Sequence, residues 1–559
     1  MVYRAIRFSY KSLASAFSPP SRFSTSNLHT MSPARFPPQF ANTDHRQRSL
    51  LQLRSKQIAL EKYIYLNGLK ERDSHLFYNI LLENMQEMIP ILYTPTVGEA
   101  CVNYSHIWRR PEGLYVSIND KGHIRDVLAT WPNLIDGRIA VVTDGSRILG
   151  LGDLGANGLP ISIGKLDLYI AGAGIKPLST VPICLDLGTN TQRYLDDPLY
   201  IGVRRPRPTG PEMDEFMDEF MEAMKEVFPT LLVQFEDFST DNAFKYLDRY
   251  RYQYRVFNDD IQGTGSVILS GFTNAARLAS AASGLPPSDH KILFFGAGSA
   301  GIGVAKQLLS FFTMSGLSPE EARSRIYTVD SKGLITADRK GLQEHKKFFA
   351  RTDYNGPPMT DLVDIINYVK PTALLGLSTI KNAFSEQVVK AMSALNKRPI
   401  IFPLSNPSSL CELEYQDAVE WTDGKVIFAS GSPYKPLSYG GVVHEPGQGN
   451  NMYIFPGIGL GSILCKTRHV SDAMVEQAAI ALASSLTEEE KAAELVYPRL
   501  ERIRDISAQV AIAVIRQAQK EKLDDNAYLR TLPDPDLLGL IHDKMWQPPA
   551  LHLQSFTRL

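Results

Sequence analysis

The chain has 559 residues, 44% of them apolar and 21% charged, with a formal net charge of −1. That length exceeds what one hydrophobic core organises, so two or more domains are expected, and the balanced charge gives no reason to expect a nucleic-acid partner and points to a small-molecule ligand. Cys101, Cys184, Cys411 and Cys465 stand far apart without a C-x-x-C pair, which speaks against a disulfide framework or a thiolate zinc site; no apolar stretch reaches the roughly 20 residues of a membrane helix, so no membrane partner is expected.

The first 43 residues differ in composition from the rest. Arg4, Arg7, Lys11, Arg22 and Arg35 lie among many serines, and no acidic residue precedes Asp44. On a helix Ile6, Phe8, Leu13 and Phe17 gather near one side with the basic residues around them, which reads as a mitochondrial presequence and places the mature protein in the matrix. The alternatives are a basic tail with no targeting role, or a cytosolic product translated from Met31. The terminal Thr-Arg-Leu is only loosely like a peroxisomal address.

From Asp44 to about residue 111 the pattern is helical. LEKYIYLNGLKERDSHLFYNILLENMQEMIP carries apolar residues at helical spacing and is expected to stop at Pro90. Thr96-Val97-Gly98-Glu99 then reads as a capping box for the next helix, so that Tyr93 projects from a stiff junction. Read locally, Tyr93 is more simply a packed aromatic.

Two G-x-G-x-x-G loops follow. ILGLGDLGANG at 148 to 158 has Gly150, Gly152 and Gly155; FFGAGSAG has Gly296, Gly298 and Gly301, with Ala297, Ser299 and Ala300 between them. A pyrophosphate needs close backbone approach, a helix N-terminus and no nearby anion. The second loop offers all three, whereas Asp153 in the first would repel phosphate, so the dinucleotide is expected at the second. Asp330, closing IYTVD, is placed to bond the adenosine ribose, which favours NAD. Ser331 and Lys332 follow at once, and Lys346 and Lys347 lie downstream, where a hydroxyl and ammonium groups suit a 2′-phosphate. NAD and NADP both stay open.

LLVQFEDF ends in Glu236 and Asp237, and VFNDDIQGTGS brings Asp259 and Asp260 to the end of another apolar run. Burying several carboxylates without compensation is costly, so a cation is expected among them. Oxygen ligands without histidine point to Mg²⁺ or Mn²⁺. The alternative is that these acids cap helices or pair with Arg249, Arg251 and Arg255.

YTPTVGEAC at 93 to 101, VVTDGSRILGLGDLGANG at 141 to 158, the GKL around Lys165, QFEDF, FNDDIQGT, LSNP at 404 to 407 and GQGNN at 447 to 451 together resemble malic enzymes, in family order from about Leu60 to the helical C-terminal part. The resemblance implies oxidative decarboxylation of L-malate to pyruvate with NAD or NADP and a divalent metal. It implies that Tyr93 is the general acid, Lys165 the general base and Asp259 a carboxylate beside the base. Glu236, Asp237 and Asp260 then match the metal ligands, and Arg147, Asn406, Asn450 and Asn451 the substrate side. The coenzyme side comprises Arg147, Asp260, Asn406, the loop Gly296, Ala297, Gly298, Ser299, Ala300 and Gly301, and Asp330, Ser331, Lys332 and Lys347. A cation and desolvation beside Lys165 are expected to lower its pKa, with Asp259 opposing.

The expected fold is multidomain α/β: a presequence (1–43), a helical N-terminal domain (44–111), an α/β substrate and metal domain (112–258 and 451–522), a Rossmann-like NAD(P)-binding domain with a parallel sheet (259–450) and a C-terminal extension (523–559). A homo-oligomer, dimer or tetramer, is expected. Competing readings are a malolactic-type lyase that retains its NAD and a non-catalytic nucleotide-binding sensor.

Overall fold

The computed structural model describes residues 45–549, apart from Pro407 and the side chains of Ser299 and Ser408. The presequence read from the first 43 residues lies outside them. Two parallel sheets organise the chain. The first contains β1 (Leu114–Ser117), β2 (Ile139–Thr143), β3 (Thr180–Asp186), β4 (Leu232–Phe235) and β5 (Val256–Asn258), in the order β1-β3-β2-β4-β5. The sequences IAVVT, TVPICLD and LVQF are buried along their whole length, as expected of strands covered on both faces.

The second sheet contains β6 (Ile292–Phe295), β7 (Ile326–Asp330), β8 (Gly333–Leu334), β9 (Ala373–Gly376), β10 (Ile400–Pro403), β11 (Ile427–Ser430) and β14 (Gly447–Gln448). Its order is β14-β11-β10-β9-β6-β7-β8, parallel except for the β7–β8 pair. A separate antiparallel hairpin pairs β12 (Leu437–Tyr439) with β13 (Val442–His444).

Strand register decides which loops meet. Val142 lies beside Phe235 and Phe235 beside Asn258, so the segments leaving β2, β4 and β5 start level with one another. In the second sheet Phe295 lies beside Val329 and Gly376, and Gly376 beside Pro403, which levels the loops after β6, β7, β9 and β10. Ligands of open parallel sheets bind beyond these carboxyl ends.

The helix Leu159–Ala173 is buried on every side. It packs on β2 and β3 and against the helices Phe455–Cys465 and Ile503–Lys520, so the C-terminal part of the chain returns to the first sheet. The last described segment docks on the same helix: Trp546 N–H donates to Gly174 O at 2.7 Å, and Arg504 donates to the carbonyls of Ala171, Ile170 and Trp546. Gly174 has a φ of +61°, and a Cβ there would lie 2.5 Å from that of Met545.

The N-terminal helices depart from expectation at one point. Pro90 does not end its helix, which runs from Met85 to Leu92. A proline this close to the end of a short helix forfeits one backbone bond, while Tyr93 N–H still reaches Ile89 O at 2.8 Å. The capping box at Thr96 is also absent, because Pro95 holds the cap position and the Thr96 hydroxyl turns back to Pro90 O at 2.8 Å. The junction is tied across Tyr93 by that bond. The four cysteines are free and buried, and among the described residues no helix is long and apolar enough to cross a membrane.

Candidate active site

Lys165 sits mid-way along the buried helix Leu159–Ala173, and Gly164 beside it admits the Tyr93 junction. A Cβ at Gly164 would lie 2.8 Å from Leu92 O and 3.1 Å from the Tyr93 ring. The Lys165 amine is 2.7 Å from Asp259 Oδ2 and 2.7 Å from Glu236 Oε1, and lies 5.0 Å from the Tyr93 ring centre and 4.6 Å from that of Phe455. Tyr93 OH donates to Glu236 Oε1 at 3.2 Å. Burial is the largest single influence on the Lys165 amine and favours its neutral form, but the attraction of Asp259 and Glu236 together outweighs it and holds the pKa well above the ordinary lysine value. Glu236, read from sequence only as a metal ligand, is a second partner of the lysine; the lowering expected of Lys165 applies with a cation bound among the carboxylates. Burial pushes the Tyr93 phenol well up, so it stays protonated and able to donate.

Glu236 and Asp237 leave β4, and Asp259 and Asp260 leave β5 through a π-helical turn, Asp259–Gly263, of a kind that often marks functional sites. Within that turn Asp259 faces Lys165, while Asp260 Oδ2 accepts from Asp237 N–H at 2.7 Å. Asn451 donates to Asp259 Oδ2 at 2.9 Å and to Thr264 Oγ1 at 2.9 Å. Asp237 has a φ of +57°, a left-handed conformation that costs a non-glycine residue energy and recurs at functional sites. Burial shifts Glu236, Asp237 and Asp260 upward, reinforced by the neighbouring carboxylates and opposed by Lys165.

Such a group of oxygens fits a hard divalent cation in chemistry, and Asp237 Oδ2 is buried without a hydrogen-bond partner. The side chains are not gathered in advance: among the described residues no three His, Cys, Asp or Glu groups form a ligand set. Glu236 is turned toward Lys165 and toward Gln234, whose Nε2 donates to Oε2 at 2.8 Å, and Gln234 Oε1 in turn accepts from Tyr169 OH at 2.5 Å. This Tyr169–Gln234 support was not read from the sequence; Gln234 in an apolar strand was its only signal.

Arg147 lies in the loop after β2. Its backbone N–H donates to Asp237 O at 3.2 Å and its Nη1 to Thr240 Oγ1 at 2.6 Å. Leu149 and Gly150 line the same cleft as Tyr93, Lys165, Glu236, Asp237 and Asp260. Asp153, three residues on, faces away: Arg207 donates to its two oxygens at 2.7 and 3.1 Å, and it accepts from the backbones of Gly155 and Asn190. The first glycine loop is therefore a clasped wall of the cleft.

The second glycine loop enters the helix Ser299–Met314. Gly296 has a φ of +116° with Leu377 O 2.3 Å from a Cβ there, and a Cβ at Gly301 would lie 2.1 Å from Gly296 O. Gly298 leaves open space bounded by Arg147, whose Nη2 is 3.9 Å from the corresponding Cβ position. The adjoining crevice is lined by Gly296, Ala297, Gly298, Asp330, Ser331, Lys346 and Ser378, and Arg147 borders both spaces.

Residues 70–251 match the profile described as "Malic enzyme, N-terminal domain" and residues 261–519 that described as "Malic enzyme, NAD binding domain". The chain is 47% identical over 508 residues to the NADP-dependent malic enzyme of Dictyostelium discoideum, covering 90% of this chain and 91% of that one. The chain belongs to the malic enzyme family. It is also similar to the NADP-dependent malic enzyme of Rattus norvegicus, 46% identical with 83% and 80% of the two chains covered. The crystal structure of the Entamoeba histolytica malic enzyme shares the fold, with a TM-score of 0.57 at 24% identity over 82% of this chain and 80% of that one.

Within this malic enzyme cleft the structure brings together Tyr93, Arg147, Lys165, Glu236, Asp237, Asp260, Ala300, Asn406, Asn450 and Asn451. Asp259 stands directly behind Lys165, fully buried. Asn406 Oδ1 accepts from Ser432 Oγ at 2.9 Å, and Asn450 Oδ1 caps the turn at Met452 N–H. Lys347 is not brought to the crevice; it pairs with Glu344 on the surface, and its neighbour Lys346 takes the place, 3.0 Å from Asp330 Oδ2. Adjacent residues on a helix point about 100° apart, so only one of the two faces the crevice. Lys332 contributes its backbone N–H to Asp330 Oδ1 at 2.9 Å, and its side chain does not line the crevice. Arg339 Nη2, missed from sequence, donates to Asp330 Oδ2 at 2.5 Å.

Proposed function

We propose that the chain catalyses metal-dependent oxidative decarboxylation of L-malate to pyruvate and CO₂ with reduction of a nicotinamide coenzyme. The observation that carries this reading is the placement of Lys165 between Asp259 and Glu236, with Tyr93 against it, beside the glycine loop that opens the helix Ser299–Met314. Lys165 takes the 2-hydroxyl proton as hydride leaves C2 for the coenzyme; its amine can do so only while the charge of Glu236 is engaged elsewhere. Asp259 and Asn451 keep the amine directed into the cleft. Arg147, at the border of both spaces, pairs with the substrate carboxylate. Tyr93 delivers a proton to C3 of the enol left after CO₂ departs, a transfer suited to a phenol kept protonated by burial. Glu236, Asp237 and Asp260 would hold a Mg²⁺ or Mn²⁺ ion, which supplies electrophilic polarisation of the malate hydroxyl and C1 carboxylate oxygens.

The coenzyme is NADP in preference to NAD. Asp330 is the residue that would repel a 2′-phosphate, and its charge is offset by Lys346 at 3.0 Å and Arg339 at 2.5 Å from its Oδ2. Lys346 and Ser331 remain at the crevice wall, and the Dictyostelium and rat relatives carry NADP dependence in their names. Following coenzyme absorbance with malate and Mn²⁺ tests both points: faster reduction of NADP than NAD at equal concentration is expected, and a preference for NAD would overturn the coenzyme assignment. The basic, acid-free first 43 residues support a mature protein in the mitochondrial matrix, proposed here to act as an oligomer. An intact N-terminus in a cytosolic fraction would overturn that location.

A further inference from the structure

Glu412 is a fully buried carboxylate that the reaction scheme leaves unused. Among the described residues it forms no ion pair with Lys, Arg or His. Its partners are instead two serines. Oε1 accepts from Ser378 N–H at 2.8 Å, Ser378 Oγ at 2.9 Å and Ser405 Oγ at 2.5 Å, and Oε2 accepts from Ser405 N–H at 3.3 Å. Ser378 and Ser405 belong to the loops leaving β9 and β10, neighbouring strands in register through Gly376 and Pro403.

Those two loops form the wall where the spaces meet. Ser378 lines the dinucleotide crevice; Thr379, Ser405 and Asn406 line the substrate cleft; Leu377 borders both. The serines also cross-tie the wall, since Thr379 N–H donates to Ser405 Oγ at 2.9 Å and Ile380 N–H to Ser378 Oγ at 3.1 Å. The carboxylate fits closely: a Cβ at Gly376 would lie 2.7 Å from Glu412 Cδ. A buried anion without a cation is costly unless hydrogen bonds satisfy it, and here all four come from one wall of the site.

We propose that Glu412 is a positioning residue for the nicotinamide half of the coenzyme: by clamping Ser378 and Ser405 it sets the separation of the β9 and β10 loops, and through them the placement of Leu377, Thr379 and Asn406 against the ring. Glu412 makes no hydrogen bond to the glycine loop or to the Asp330 end of β7, so the adenosine half depends on it less than the nicotinamide half does. The inference rests on the coenzyme site assigned above, but its test requires no turnover, so failure of the malate reaction and failure of this inference are separate results.

The test compares two ligands on two variants of the full chain. Glu412→Leu keeps the volume and removes every acceptor; Glu412→Gln keeps an acceptor at the Oε1 position and sets an amide against Ser405 N–H. NADPH affinity is read by fluorescence titration and that of 2′-phospho-ADP-ribose, which lacks the nicotinamide, by calorimetry. NADPH binding is expected to weaken roughly tenfold or more in Glu412→Leu and by a smaller factor in Glu412→Gln, as the loss of one to two net hydrogen bonds would give. Binding of 2′-phospho-ADP-ribose is expected to stay within twofold of wild type. If Glu412→Leu does not fold, Glu412→Gln decides alone. Unchanged NADPH affinity in the folded variants, or equal weakening of both ligands, would overturn the assignment, the second result marking Glu412 as a general structural support.

Discussion

The two glycine loops share a letter pattern and differ in what their backbones approach. In the loop after β6, a side chain at Gly296 or Gly301 would collide with backbone oxygens at 2.3 and 2.1 Å, while Gly298 keeps open the space that a pyrophosphate needs. In the loop after β2, Gly150 approaches Asn406 O and Leu410, and Asp153 is spent on Arg207. One loop is shaped around a ligand's phosphates; the other is a wall that carries Arg147 and meets the opposite sheet. The contrast extends to charge. The substrate side carries Lys165, Glu236, Asp237 and Asp259, all buried, with the half-buried Asp260 beside them, whereas the loop after β6 has no ionised side chain of its own.

This difference gives the two sides separate sensitivities. The largest effect is expected at the cluster: Lys165→Ala lowers kcat by about a thousandfold or more, while titration of the reduced coenzyme gives the wild-type affinity. Parallel loss of coenzyme binding would mean that the two sides are not separable. Next comes the clasp. Arg207→Met leaves Asp153 partly buried without its cation and is expected to cost about 3 kcal/mol in urea unfolding. A variant of wild-type stability would show that Asp153 does not need the clasp.

The second sheet responds to pH through His290, fully buried between Ser280 and Thr372, with a pKa lowered by burial to about 4. Its folded pKa lies below the unfolded value, so its contribution is fully present above about pH 6.5 and is lost as pH falls toward 4. Over that window wild type is expected to lose about 2–3 kcal/mol more stability than His290→Asn. Equal slopes in urea unfolding across pH would refute the assignment. The smallest effect is expected at Gly152, which has a φ of +85° but no neighbour within 4 Å of an added Cβ. Gly152→Ala should cost about 1 kcal/mol and leave coenzyme affinity unchanged, in contrast to Gly301→Ala, which should abolish coenzyme binding.

Much of this contrast is legible in the amino-acid sequence. Asp153 inside the first loop and the clean helix after the second separate the two by charge alone, and the apolar runs ending in Glu236-Asp237 and Asp259-Asp260 mark strands delivering carboxylates to one edge. Pairing within the edge was not legible. Glu236 faces Lys165 because of the parallel register of β4 with β2 and β5, which no local pattern encodes. Thr96 and Pro90 misled for a related reason: a side chain that suits a cap will bond whichever carbonyl the packing presents, and here that is Pro90 O. Lys346 and Lys347 differ only in the direction of one helical step, and Glu412 resembles any other glutamate in a surface loop until the strands are aligned.

The central claim is that the carboxyl ends of two parallel sheets jointly oxidise and decarboxylate a hydroxy acid under a divalent cation. Its most direct measurement is the yield of pyruvate and reduced coenzyme from L-malate by metal-stripped protein, before and after Mn²⁺ is added. Equal amounts of the two products, formed only with Mn²⁺, are predicted. Turnover undiminished in the stripped protein, or lactate formed without net coenzyme reduction, would contradict it.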